Sequence, residues 1–261
     1  MLSNREIRLA ARQALKGKWG IMVAAAVIYY LITFVGSLIP LIGWLAVLIC
    51  GGPLVTGLIW LALAISRNEE RDLGYLFSGF KDFGRTLAAY LLICLFTFLW
   101  SLLLLVPGII KSYSYSQTFF ILRDDPNISA LDAITASREM MAGYKGKLFG
   151  LSLSIGAWLL IPYALIFIGI TTGVAASVVY SDSYSDFPVV FIIIGFLVAG
   201  LGYLAFLGLL LFIIPYLLMA LAVFYDERQM RVVDDSEGWS EDDPFSEEET
   251  ASNPFDSSDD R

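Results

Sequence analysis

The densest run of side chains able to do chemistry is Lys111-Ser-Tyr-Ser-Tyr-Ser-Gln-Thr118, an ammonium followed by seven polar or amphipathic residues. Ammonium and hydroxyl groups are the donors a phosphate headgroup or another anion needs. Lys111, Ser112, Tyr115 and Thr118 are the candidate site. On a helix the run would spread polarity around most of the surface, so it cannot face lipid comfortably. A second reading competes. Lys111 snorkels to the outer membrane interface, and the Ser and Tyr hydroxyls bond between helices.

Other chemistry is sparse. The chain has no histidine, and Cys50 and Cys94 stand alone in apolar stretches. No disulfide framework or metal-ligand spacing can be built from them. Apart from Lys111, no Asp, Glu, Lys or Arg falls inside an expected span. Ion-coupled transporters and most intramembrane hydrolases place such groups at mid-membrane. The expectation is therefore a non-enzymatic protein with no catalytic residues, no cofactor and no metal.

The elements that must position these residues are apolar. Stretches 19–66, 86–110, 112–122, 148–181 and 187–225 lack Asp, Glu, Lys and Arg entirely. Since a spanning helix needs about 20 apolar residues, a soluble globular fold is excluded. The first apolar run is too long and too late for a signal peptide and is read as an uncleaved span. Lys and Arg cluster in four places: before residue 19, in 67–85, in 123–147 and after 225. Basic segments mark the cytoplasmic side, so each apolar block between them must cross an even number of times. The fold class is all-α: about six transmembrane helices in three hairpins, both termini cytoplasmic, with interfacial amphipathic helices. Residues 19–66 divide at Gly36–Gly43, 86–122 at Pro107-Gly108, and 148–225 at the polar 181–186 segment.

Each hairpin follows a candidate amphipathic helix. The first begins at Ser3 with Glu6 in capping-box spacing; Arg5, Arg8, Arg12 and Lys16 form one stripe, opposite Ile7, Ala11, Ala14 and Leu15. The second places Leu73, Leu76, Phe77, Phe80 and Phe83 on one face, and the third Ile128, Leu131, Ile134 and Met141. Such helices lie in the headgroup plane. Pro53, Pro107 and Pro215 sit 14, 16 and 13 residues before Arg67, Arg123 and Arg228, where a mid-span proline would kink each return helix. These parallels suggest a threefold repeat, or else only reflect how common Pro and Gly are in membrane helices. Gly169-Ile-Thr-Thr-Gly173 has small-residue spacing suited to close helix contact inside the fold.

Residues 1–233 form the membrane domain, with a net charge of +3. Residues 234–261 hold 12 acids and one base, a net of −11. That composition predicts a disordered cytoplasmic tail. Its Asp243-Pro-Phe245 and Asn253-Pro-Phe255 elements could dock a basic partner.

Several pieces have a familiar look: Ala14-Leu-Lys-Gly-Lys-Trp-Gly20, Phe77-Ser-Gly-Phe-Lys81, Leu103-Leu-Leu-Val-Pro-Gly-Ile-Ile-Lys-Ser-Tyr-Ser-Tyr-Ser116, and Met140-Met141-x-Gly143-Tyr144-Lys145. Pro215-Tyr216 and Phe224-Tyr225 belong with them. Over about residues 5–227 the chain resembles a family of bacterial integral membrane proteins, domain of unknown function 975. The resemblance implies a cytoplasmic-membrane location and carries over no catalytic residue.

The leading expectation is an accessory or scaffold protein of the bacterial plasma membrane. The alternative is a passive permease or lipid-handling protein using Lys111–Thr118. Expected partners are membrane lipids, chiefly anionic inner-leaflet lipid, and a protein bound through 234–261, but no nucleic acid.

Overall fold

A computed structural model describes residues 2–179 and 187–241. Among these the chain is helical, with no strand. Helix α1 (Asn4–Ala14) leads into α2 (Trp19–Ser37) and α3 (Ile42–Ser66). A 3₁₀ helix (Leu73–Phe80) precedes α4 (Phe83–Leu103), α5 (Leu105–Ser114) and α6 (Thr118–Asp124). Then come α7 (Ala130–Met140), α8 (Lys145–Gly156), a 3₁₀ joint, α9 (Leu160–Val179) and α10 (Phe187–Glu241). The 181–186 segment and residues 242–261 of the expected tail lie outside the described residues, and α10 runs through 234–241.

Five segments are long and apolar enough to cross a membrane: α2, α3, α4, 145–178 and 189–232. The expected sixth, the return leg of the middle block, is broken into α5 and α6. The cause is a hydroxyl from another helix. Ser137 of α7 donates to the Ser114 carbonyl at 2.9 Å and accepts from the Gln117 amide at 3.1 Å. A side chain inserted into the backbone ladder interrupts it. Ser114, Ser116 and Thr118 also turn their hydroxyls onto carbonyls of the preceding turn, which competes with regular helix. Pro107 lies in the first turn of α5 rather than mid-helix, where its missing N–H costs nothing. Pro53 and Pro215 are inside α3 and α10.

α3 is the central helix, buried almost throughout from Gly51 to Ile65. The 3₁₀ helix lies directly against it. A methyl on Gly57 would meet the Leu76 carbonyl oxygen at 1.7 Å, and one on Gly79 the Pro53 carbonyl at 2.1 Å. This corrects the second expected amphipathic helix. A 3₁₀ helix has a period of three, so Leu76 and Gly79 face α3 while Phe77 is exposed, its ring joined through Phe80 to Phe83. The apolar faces of α1 and α7 are likewise buried in protein, not left for lipid: Ile7, Ala11, Leu15, Ala133 and Met141 are fully enclosed, although Leu131 is exposed.

The first and third units match closely. Ser3 and Ser129 cap α1 and α7; Leu15 and Met141 are buried; Gly17 and Gly143 both take positive φ, +80° and +76°. Met22 and Leu148 then enter the same core. Each pair is 126 positions apart. The positive φ explains both glycines, since a Cβ there is strained. The middle unit, with its 3₁₀ helix, departs from the pattern.

Two apolar cores flank α3 near the basic segments. One joins Ile7, Leu15, Met22, Leu61, Leu151 and Phe224; the other joins Trp60, Leu63, Phe120, Leu122 and Tyr225. Farther from those segments, most large apolar side chains of α2, α4, α9 and α10 are exposed. Gly169, Gly173 and Gly195 bring α9 and α10 into close contact, a methyl on Gly195 meeting the Gly169 carbonyl at 2.7 Å. The small-residue spacing therefore serves internal packing.

Candidate functional site: an arginine clasp at the basic end

The polar run that sequence singles out does not converge on one point. Lys111 Nζ lies 4.5 Å from the centroid of the Trp100 ring on α4, a cation–π contact. Ser112 is exposed and donates to the Ile109 carbonyl. Tyr115 is buried beside Phe96, with ring centroids 6.2 Å apart. Thr118 is buried and donates to the Tyr115 carbonyl at 2.9 Å. The side-chain oxygen of Gln117 is enclosed without a protein hydrogen bond.

A second cluster, missed by sequence reasoning, joins the ends of α3 and α6 to the interior of α10. Arg67 caps α3. It donates to both oxygens of Asp124 at 2.7 Å, and to Asp226 Oδ1 at 2.9 and 2.8 Å. Asp124, at the end of α6, also accepts from the Tyr225 hydroxyl at 2.9 Å, and Asp226 accepts from Ser66 at 3.0 Å. The Tyr225 ring stacks on Phe120, with centroids 5.2 Å apart. Arg123 holds both oxygens of Glu69 at 2.8 and 2.7 Å and donates to the Trp60 carbonyl at 3.1 Å. The Trp60 indole N–H in turn donates to the Phe119 carbonyl at 2.8 Å. Helices α3, α6 and α10 are thus tied by fork-shaped arginine contacts, the geometry that guanidinium suits and ammonium does not.

The remaining basic segments join the same end. Arg85 donates to the Leu122 and Asp125 carbonyls. Arg228 donates to the Met140 carbonyl and lies 3.8 Å from the Tyr144 ring centroid. The Leu2 amide donates to Glu227, and Lys147 donates to the Leu2 carbonyl. All four basic segments of the sequence therefore meet on one side of the molecule.

Burial alone would raise the Asp124 carboxyl, but the Arg67 fork and the Tyr225 hydroxyl outweigh it and hold it below the ordinary carboxylate range. The same contact raises the Arg67 guanidinium further above its usual value. A cleft of about 420 Å³ opens beside them, bordered by Arg67, Glu69, Tyr75, Arg123 and Asp124. Its charges are already spent on one another, so the cluster is built to fasten helices. Among the described residues no group of three Asp, Glu, Cys or His could hold a metal ion. A signal for the clasp was present in the sequence: three of the apolar stretches are followed by an arginine one or two residues from a carboxylate, at Arg67/Glu69, Arg123/Asp124 and Asp226/Arg228.

No curated protein and no solved structure matches the chain. One family does, described as a protein of unknown function (DUF975), and it matches residues 1–111 and 102–231. Those two stretches take in the clasp, the Lys111–Thr118 run and both capped units, so the chain belongs to the DUF975 family.

Proposed function

We propose that the protein is a non-enzymatic accessory or scaffold protein of the bacterial cytoplasmic membrane. It crosses six times in three hairpins, with both termini cytoplasmic. The broken α5–α6 leg serves as the sixth crossing, from 105 to 122. The observation that carries this reading is the clasp: Arg67 and Arg123 bind side chains from other legs, with Asp124, Asp226 and Glu69 as acceptors. It gathers the cytoplasmic ends of the hairpins, while the apolar halves beyond remain exposed to lipid or to another membrane protein. The acidic tail extends the surface available to a basic partner.

Cysteine accessibility in intact cells tests the topology. With Cys50 and Cys94 replaced by serine, an impermeant maleimide should label cysteines at 39, 104 and 183 from outside, but not at 71, 127 or 236. External labelling at 127 would refute six crossings. Co-purification with and without 234–261 tests the scaffold role. A partner lost with the tail supports docking through it, and an unchanged set of co-purifying proteins refutes that docking.

A second reading, lipid handling or passive permeation through the polar run, draws on the enclosed, unpaired Gln117 oxygen beside buried Tyr115 and Thr118. Lys111→Met should then reduce retained anionic lipid.

A further inference from the structure

The arginines of α1 behave unlike those of the clasp. Arg5, Arg8 and Arg12 form one stripe and make no ion pair with any described residue, whereas Arg67, Arg71, Arg85 and Arg123 all do. Glu6, the acid nearest to them in sequence, is committed to the cap: it accepts from the Ser3 amide at 2.6 Å and the Ser3 hydroxyl at 2.8 Å. Three unpaired guanidinium groups repel one another and gain from an anion shared among them.

They border a crevice of about 250 Å³ between α1, α8 and α10, closed by Ser154, Trp158 and Tyr216. Its walls are fixed. Asn4 donates to the Lys147 carbonyl at 3.3 Å, pinning α8 to α1, and the Tyr216 hydroxyl donates to the Arg8 carbonyl at 3.0 Å, pinning α10. Trp158 is 63% exposed and also borders a second, apolar groove of about 390 Å³. That groove runs between α9 and α10 past Pro162, Gly208 and Phe212. A basic recess thus continues over one tryptophan into an apolar channel, at a level marked by Trp158, Tyr216 and the Trp19–Phe212 ring contact at 6.1 Å. Trp and Tyr favour that depth in a bilayer.

We propose that this crevice binds an anionic glycerophospholipid, its phosphate held among Arg5, Arg8 and Arg12 and one acyl chain lying in the groove past Gly208. A free phosphate would use only the basic recess. A merely charged surface would use every base on this side equally. Basic pockets between membrane helices suit anionic headgroups for the same reason. The site does not depend on the scaffold role.

The test is native mass spectrometry of the delipidated full chain titrated with dioleoyl phosphatidylglycerol, with dioleoyl phosphatidylcholine as the neutral comparison. The wild type should prefer phosphatidylglycerol. Near a membrane surface each base contributes roughly fivefold, so R5Q/R8Q/R12Q should lose on the order of a hundredfold. R5K/R8K/R12K should stay within about fivefold of wild type, which guards against a folding defect in the glutamine variant. A methyl on Gly208 meets nothing within 4 Å, so the Cβ of Gly208→Leu enters open space, and its side chain, placed in the groove, should cost about tenfold through lost acyl contacts. K16Q/K18Q, on the same side but not bordering the crevice, should change binding far less than the arginine triple. Equal losses in K16Q/K18Q and the arginine triple would overturn the site in favour of general surface charge. Unchanged binding in Gly208→Leu, with displacement of the lipid by millimolar inorganic phosphate, would overturn it in favour of a free-phosphate site.

Discussion

Asp124 offers the sharpest test of the clasp, because Asp124→Asn changes charge with almost no change in shape. The carboxylate accepts three hydrogen bonds, two from Arg67 and one from Tyr225. Bonds to a charged group contribute about 1.5–3 kcal/mol each when buried. Two considerations lower the total. Arg67 is 31% exposed in its side chain and keeps Asp226, and partly exposed pairs are screened. The neutral amide also keeps one acceptor. The net loss should be about 2–3 kcal/mol, or roughly 5–10 °C in Tm for a chain of this size. The effect must depend on pH in a defined direction. The folded-state pKa of Asp124 lies below its ordinary value, so its contribution is complete above the ordinary carboxylate range and is lost as pH falls through the lowered value. Wild type should therefore lose stability on acidification, and Asp124→Asn should lose less over the same window. The assay is thermal unfolding in detergent, followed by circular dichroism, from pH 7 to pH 3. A variant as stable as wild type at pH 7, or one with the same acid dependence, would refute the clasp as a stabilising element. Tyr225→Phe keeps the stack on Phe120 and should cost only about 1 kcal/mol.

Three further outcomes follow from packing and backbone. Gly57→Ala puts a methyl into the Leu76 carbonyl and should destabilise by about 3 kcal/mol or more, seen as a lower Tm or lost expression. Ser137→Ala strips the partner from the Gln117 amide and the Ser114 carbonyl and should cost about 1–3 kcal/mol, with faster hydrogen exchange at Gln117. Gly143→Ala should lose about 1 kcal/mol from its positive φ, whereas Gly146→Ala, with open space around it, should be neutral or slightly stabilising by thermal unfolding.

Much of the fold is legible in the sequence because membrane helices write themselves as uncharged runs, and basic residues mark one side. The stripe of α1 and its Ser3–Glu6 capping box are present as expected. What periodicity could not show is what the apolar stripes pack against. Ile7 and Leu15 read equally well as lipid-facing or core-facing, and only the fold places them inside protein. The 3₁₀ helix is hidden for a related reason: Leu73 and Leu76 satisfy both a 3.6 and a 3.0 period, and Gly79, which completes the period of three, carries no apolar side chain to mark it. The break at 115–117 depends on Ser137, twenty or more residues away, and no local signal predicts a hydroxyl arriving from another helix. The clasp escaped because topology arguments count Lys and Arg and set aside acids, while its geometry rests on Asp124, Asp226 and Glu69.

The uneven packing along the long helices follows from the solvent each half meets. Lipid is as apolar as leucine, so the exposed apolar halves of α2, α4, α9 and α10 gain little by burying themselves against one another. They can stay available to other chains at no cost. Where the helices leave the hydrocarbon, water restores the hydrophobic drive and punishes unpaired backbone ends. The capped α1 and α7 and the arginine forks stand beside the basic segments, and both cores pack against them. Single substitutions at Asp124, Ser137 or Gly57 should therefore cost far more than apolar exchanges such as Phe98→Leu or Phe196→Leu at exposed positions, which should leave stability within about 0.5 kcal/mol of wild type. If those exchanges instead abolish co-purification of a membrane partner at unchanged Tm, the exposed halves are the docking surface and the basic end is the frame that holds them.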